Sequence, residues 1–290
     1  MDDTSTFAAT PLQRTSEEKY NFGAKVTGID INTISHEHVD RLKAAVWRHK
    51  VILVKGQSHL DPKKQWELVT HGTPMRLMVT RGVSNEFYAA PPSPEGVENG
   101  ITRFHRWHLD APLYGKNPAW FTTLRCVKLP KGPDLTIEWA DGSDLRMKAP
   151  PGRTAFFITS QLYGLLSQEE KQLVDHSWVE CAPYPYKWIE RCKGNSNGLG
   201  LAEDVRLMKS LESWMMSQRS ASLSLTSRIL RPEYILLAPV EEGDMIIWDN
   251  YGVFRSAVDY PVKLGPRSMH QANIGGCIAP KGPVPIGSTA

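Results

Sequence analysis

The chain has 290 residues, 41% of them hydrophobic and 22% charged, with a formal net charge of +3. That is enough apolar material for a sizeable core, in one large soluble domain or two small ones. The basic excess is too small and too scattered for nucleic-acid binding, and no stretch approaches the ~20 apolar residues of a membrane span.

Cys126, Cys181, Cys192 and Cys277 form no C-x-x-C pair, which removes zinc-ribbon and thioredoxin readings. Their wide spacing suits free thiols in a reducing compartment better than a disulfide framework. The acidic opening Met1-Asp2-Asp3-Thr4 carries no apolar run, so no secretory signal is expected and the cytoplasm is the expected location.

Residues 1–20 are polar and expected to be loose. Gly23 to Ile31 alternates like a short strand. Ser35 stands at a helix N-cap, and Val39, Leu42 and Val46 form one apolar stripe behind it. Val51-Ile52-Leu53-Val54 is a continuous apolar run, as in a strand buried on both faces. Asp61-Pro62 opens a second helix, expected to stop near Gly72. From Met75 to Gly100 the pattern is weak, apart from the loop signal Pro91-Pro92-Ser93-Pro94.

Short strands are predicted at 120–128, 135–139, 144–148 and 154–159, with Asp141-Gly142 as a hairpin turn. Ser167-Gln168-Glu169-Glu170 has the capping-box spacing and opens a short helix. Residues 194–228 are polar, Ser- and Met-rich and poorly periodic. Strands return at 234–238, 245–249, 253–258 and 268–274, before a Pro/Gly tail at 280–290. No internal repeat is visible. The pattern predicts a mainly β fold with flanking α, a single domain over 21–279 built as a jelly-roll barrel with helices packed outside.

His108-Leu109-Asp110 carries the chemistry. On a strand, positions i and i+2 face the same way, so an imidazole nitrogen and a carboxylate oxygen reach a common point. Two histidines and one carboxylate make the facial triad that holds ferrous iron with open positions. Alone, H-x-D is a weak signal among nine histidines, and a hydrogen-bonded pair at a turn is the bland alternative.

The surrounding blocks sharpen it. Gly23 to Asp30, Val51 to Val54, Gly56-Gln57, Trp107-His108-Leu109-Asp110, Glu242-Gly243-Asp244, Trp248-Asp249-Asn250 and Pro266-Arg267-Ser268-Met269-His270 stand in family order. Together they resemble the taurine/2,4-dichlorophenoxyacetate (TauD/TfdA) family of iron- and 2-oxoglutarate-dependent dioxygenases. Pro133-Asp134-Leu135-Thr136, Gln161-Leu162-Tyr163, Tyr184-Pro185-Tyr186 and Gly194 to Gly200 resemble its fungal xanthone dioxygenase-like branch.

The resemblance implies a double-stranded β-helix, with Fe(2+) and 2-oxoglutarate as cofactors and a small organic substrate, and its fungal branch suggests a secondary metabolite. It implies His108 and Asp110 as iron ligands, and Thr136 and Arg267 as the hydroxyl and guanidinium on the distal carboxylate of 2-oxoglutarate. A guanidinium suits that role because it grips a carboxylate through parallel hydrogen bonds. An arginine on an edge strand and a threonine in any strand are the bland alternatives. Trp107, Tyr114, Tyr163 and Trp188 are candidate pocket aromatics or, equally, core residues.

One position breaks the pattern. The family's third ligand is a histidine where this chain has Arg255, within Val253 to Tyr260. Arginine stays protonated and offers no lone pair. His105 and His270 are expected to face away, and His176 sits at a helix end. The segment 201–228 is also short for the insert that covers the site in relatives. Two readings follow. The first is a dioxygenase oxidising a small organic substrate. The second is a catalytically impaired member acting as a binding module or as the partner subunit of an active homologue, with Arg255 pairing to Asp110. Homo-oligomerisation is open.

Overall fold

The computed structural model describes residues 7–68, 73–80, 87–110, 119–177, 193–202 and 228–276, with only the backbone described for 73–80 and 201. Among the described residues, fifteen strands and five α-helices follow in order: β1 (Ala8–Pro11), β2 (Ala24–Thr27), α1 (His36–His49), β3 (Val51–Val54), α2 (Pro62–Glu67), β4 (Thr73–Thr80), α3 (Pro94–Glu98), β5 (Ile101–Thr102), β6 (Ala119–Lys128) and β7 (Leu135–Glu138). Then come β8 (Arg146–Ala149), β9 (Thr154–Ile158), α4 (Thr159–Gly164), α5 (Gln168–Asp175), β10 (Lys193–Gly194), β11 (Leu201–Ala202), β12 (Leu236–Leu237), β13 (Met245–Asp249), β14 (Val253–Ala257) and β15 (Arg267–Gly275).

A seven-stranded sheet runs β1-β2-β3-β13-β6-β15-β4, all pairs antiparallel except β2 with β3. A smaller sheet runs β12-β9-β14, and β5-β7-β8 form a third. The strand period of two sorts the side chains into layers. Leu53, Leu124, Ile246, Trp248 and Met269 of the large sheet meet Phe156, Ile158 and Val253 of the smaller one in the inner core. Phe156 and Trp248 rings lie 5.4 Å apart there. Their neighbours in sequence face the other way. Ile52, Val54, Met245 and Ile247 bury the stripe of Leu42, Ala45 and Val46 on α1. Behind the smaller sheet, Phe157 and Val258 pack with Phe104, Trp107, Ile137 and Trp139. The protein is thus mainly β, with helix on the outside of the large sheet.

Several expected elements start where their signals put them. Ser35 caps α1 by accepting from His38 N, and Asp61 caps α2 with Pro62 in its first turn. Ser167 and Glu170 close a full capping box on α5. Three expectations change. The second helix ends at Glu67, capped by Leu68, and Gly72 lies outside the described residues. Residues 1–20 are not all loose: Ala8–Pro11 pairs with Ala24–Thr27. Its side chains are largely exposed, so main-chain hydrogen bonding holds it and no apolar pattern announces it. The weakly patterned stretch after Met75 contains β4, paired to β15. The tail 280–290 and Cys181, Cys192 and Cys277 lie outside the described residues, whereas Cys126 is a buried free thiol.

Candidate metal centre

His108 and Asp110 lie on a segment, 103–110, that pairs with the edge of β14. Phe104 bridges Val258 and His108 bridges Arg255. Residues 105–107 therefore stand against 256–257, one extra residue, which is a β-bulge. Bulges of this kind re-aim side chains beside functional sites. Here Phe104 stays in the outer cluster while His108 turns with Arg255 to the inner side.

The bridge at His108 is reciprocal: His108 N donates to Arg255 O, and Arg255 N donates to His108 O, each at 3.0 Å. Directly opposed residues of an antiparallel pair project to the same face. The two side chains therefore point at one place. Arg255 is 6% exposed and reaches Asp110, also 6% exposed. Its Nε donates to Oδ1 and Oδ2 of Asp110 at 3.1 Å each, and its Nη2 donates to Oδ1 at 2.5 Å. Nη2 also donates to Gln271 Oε1 at 3.4 Å, and the guanidinium lies 5.4 Å from the Trp248 ring centroid. Burial pushes the Asp110 carboxyl up, but the charge and hydrogen bonds of Arg255 outweigh it and hold it below its ordinary range.

Asn250 fixes the main chain of Asp110. Asp110 N donates to Asn250 Oδ1 at 2.8 Å, and Asn250 Nδ2 donates to Asp110 O at 2.8 Å and Ala119 O at 2.9 Å. His108 Nδ1 lies 2.6 Å from Arg106 O, a carbonyl that can only accept. The neutral ring therefore carries its proton on Nδ1, leaving the Nε2 lone pair 3.8 Å from Asp110 Oδ1. Burial and the Arg255 charge pull His108 down to about 4, so the neutral form prevails near pH 7.

Arg267 projects inward from β15 with Met269 and Gln271. It is 3% exposed; its Nε donates to Gly152 O at 2.7 Å and its Nη2 to Thr154 Oγ1 at 2.8 Å. No carboxylate among the described residues pairs with it, and burial, then the Arg255 charge, draw it down to about 10. Gly152 permits the approach: its φ is +70°, and a Cβ there would stand 2.6 Å from Pro130 Cγ and 3.3 Å from Arg267 Cδ. Thr136 is placed elsewhere, in β7, where its hydroxyl accepts from Lys148 Nζ at 2.7 Å in an exposed setting. The hydroxyl that the structure gives Arg267 is that of Thr154.

The other histidines weighed as ligands, His105, His176 and His270, stay away from this point. His270 faces the outside of the large sheet, near Arg125, opposite to Arg267. His176 caps the end of α5, and His105 packs edge-on against Phe87 at 5.3 Å. Trp107 is a core residue that donates to Asn197 O, and Tyr163 is exposed on α4 with its hydroxyl on Asp175. Tyr114 and Trp188 lie outside the described residues.

A family model, taurine catabolism dioxygenase TauD, TfdA family, matches residues 8–273. The chain belongs to this dioxygenase family. It is 33% identical to the alpha-ketoglutarate-dependent dioxygenase bsc9 of Alternaria brassicicola over 381 residues, covering 95% of this chain and 96% of that protein. It is 29% identical to the alpha-ketoglutarate-dependent dioxygenase fc-dox of Phomopsis amygdali, covering 92% and 93%. An alignment of 381 residues exceeds a chain of 290, so bsc9 carries internal segments that this chain lacks. The solved structure of AAD-2 in complex with Mn(II) and N-oxalylglycine shares the fold, with a TM-score of 0.60 at 16% identity, covering 94% and 98%.

The cofactors of this dioxygenase family are 2-oxoglutarate and Fe(II). His108 and Asp110, expected from the sequence as the first two ligands, stand beside Arg255, a cation already bonded to the carboxylate. Among the described residues no group of three His, Cys, Asp or Glu side chains could hold a metal ion. As arranged, the donor set does not fit ferrous iron, because a guanidinium repels the ion and consumes the acceptors of Asp110.

Proposed function

We propose that this chain is a dioxygenase-family member whose iron site is closed by the Arg255–Asp110 pair. It acts as a small-molecule-binding module or as the partner subunit of an active homologue, its own iron-dependent turnover impaired. In this reading the facing sheets form the family's double-stranded β-helix, and Arg267 with Thr154 retains the place of a ligand carboxylate. Thr136 would join them only by leaving Lys148. The fungal relatives suggest a secondary metabolite as the small molecule. No helix among the described residues is long and apolar enough to cross a membrane, and we place the protein in the cytoplasm.

The observation that carries this reading is the three-bond contact of Arg255 with Asp110 at the third-ligand position. Anaerobic titration with Fe(II) and 2-oxoglutarate tests it. The wild-type chain is expected to show no metal-to-ligand charge-transfer band, and Arg255→His to gain one. A band of full strength in the wild type would overturn the proposal.

A second reading is favoured by the match along residues 8–273 and by the retained Arg267. It is an active 2-oxoglutarate-dependent dioxygenase that oxidises a small organic substrate, with Arg255 displaced from Asp110 when iron enters. The same titration separates the two.

A further inference from the structure

Residues 87–90 form a short strap beside the segment that carries His108. Tyr88 bridges Gly194, and Ala89 N donates to Gly194 O at 3.1 Å. The Phe87 ring packs edge-on against His105 at 5.3 Å. Ser196 Oγ reaches Ala90 O only at 3.4 Å. The Tyr88 hydroxyl fastens the strap more firmly, by donating to Asp259 Oδ2 just beyond β14. Asp259 is itself held by its main chain: its N donates to Arg103 O at 3.1 Å, and its O accepts from Thr102 Oγ1 at 2.6 Å. One side-chain hydrogen bond thus ties the strap to the join between β14 and the segment 103–110.

The acceptor of that bond is a poor place for a charge. Tyr88 and Asp259 are 3% and 7% exposed, and Asp259 Oδ1 is sealed off without a hydrogen-bond partner. The nearest cation on the paired segment turns away, since Arg103 Nη1 donates to Thr102 O and reaches Glu138 at 3.5 Å. Glu98, Tyr260 and Lys263 border, with Tyr88 and Asp259, a cavity of about 360 Å³. Burial dominates and raises the Asp259 carboxyl well above its ordinary range. Ionisation would strengthen the single bond from Tyr88, but one donor does not replace the hydration that a buried carboxylate loses. The closed strap therefore favours the neutral acid, which still accepts from Tyr88 through Oδ2. With the Tyr88 ring released, the carboxyl would meet the water of the neighbouring cavity, and the charged form would be favoured.

We propose that the Tyr88–Asp259 bond is a pH-sensitive latch on the strap 87–90, fastened while Asp259 holds its proton and released as it ionises. The sign follows from linkage. Opening lowers the Asp259 pKa, so between the solvated and the buried value each pH unit favours the open strap by about tenfold. The strap is closed in acid and loosens as pH rises, uncovering the His105 side of the segment that carries His108.

The test is amide hydrogen exchange of the full chain from pH 5 to pH 8, with the intrinsic pH dependence of exchange divided out. Ala89 N is the reporter, because its bond to Gly194 O breaks when the strap opens. In the wild type its protection is expected to fall by about tenfold per pH unit over part of that range. In Asp259→Asn, which keeps an acceptor for Tyr88 and cannot ionise, protection should stay level. In Tyr88→Phe it should be low throughout, whereas a merely structural Tyr88 would leave the pH slope in place. The amides of β13 report the fold and should remain more protected than Ala89 in every variant. A level wild-type profile, the same slope in Asp259→Asn, an unchanged slope in Tyr88→Phe, or a fall at Ala89 shared in full by β13 would each overturn the proposal.

Discussion

At the residue scale, the proposed closure of the site is one exchange of an imidazole for a guanidinium. Arg255 pairs with Asp110, the carboxylate expected to meet the metal. Removing one partner of a buried pair is costlier than the pair is worth, because a naked charge is left behind. Arg255→Ala is therefore expected to lose about 3–5 kcal/mol of stability in denaturant unfolding, whereas a surface change such as Lys43→Ala should shift the midpoint by about 0.5 kcal/mol or less.

Asp259 predicts a pH effect of definite sign. Burial raises its folded-state pKa above the unfolded value near 3.9. Folding therefore favours its protonated form. The penalty is absent below the unfolded pKa and grows as pH rises from there through the folded value. Asp259→Asn removes the ionisation, so its stability relative to wild type should improve as pH is raised from 4 to 8 in parallel urea titrations. A stability difference that stays constant with pH would contradict this.

At the scale of elements, the site is a join between three pieces of backbone. The segment 103–110 is pinned to β14 by the reciprocal His108–Arg255 bonds and to β6 by Asn250, which bonds Asp110 and Ala119. Asn250→Ala would leave buried main-chain groups of Asp110 unpaired, at a cost of about 1–3 kcal/mol. Amide hydrogen exchange should then quicken in 103–110 before it quickens in β13.

Elements with strong local chemistry were legible in the sequence. Ser35, Asp61-Pro62 and the Ser167–Glu170 box each mark a helix start through a side chain that satisfies an exposed N–H. Val51 to Val54 reads as a doubly buried strand because both of its faces meet apolar layers. β1 and β4 were not legible, since exposed or unpatterned strands are held by main-chain pairing. The bulge at 105–107 was equally silent. It depends on the register between two distant segments, which no local pattern encodes.

At the scale of the whole molecule, the sequence carried the family and the Arg255 problem, because both rest on residue identity and order. It did not carry the partners of Arg267. Thr154 and Gly152 come to that guanidinium through the apposition of β15 and the start of β9, and Thr136 falls in a different sheet. Asn250 stood in a recognised block, yet its clamp on Asp110 required the fold. The inner core joins both large layers through Phe156 and Trp248, so Phe156→Ala should cost about 3–5 kcal/mol and lower the melting temperature of the domain in a single transition.

Isothermal calorimetry of Mn(II), with wild type and Arg255→His side by side, tests the central claim most directly. A closed site predicts no binding heat in the wild-type chain, and binding in Arg255→His that disappears when Asp110→Asn is added. Stoichiometric Mn(II) binding by the wild type, lost on Asp110→Asn, would show that Arg255 does not close the site.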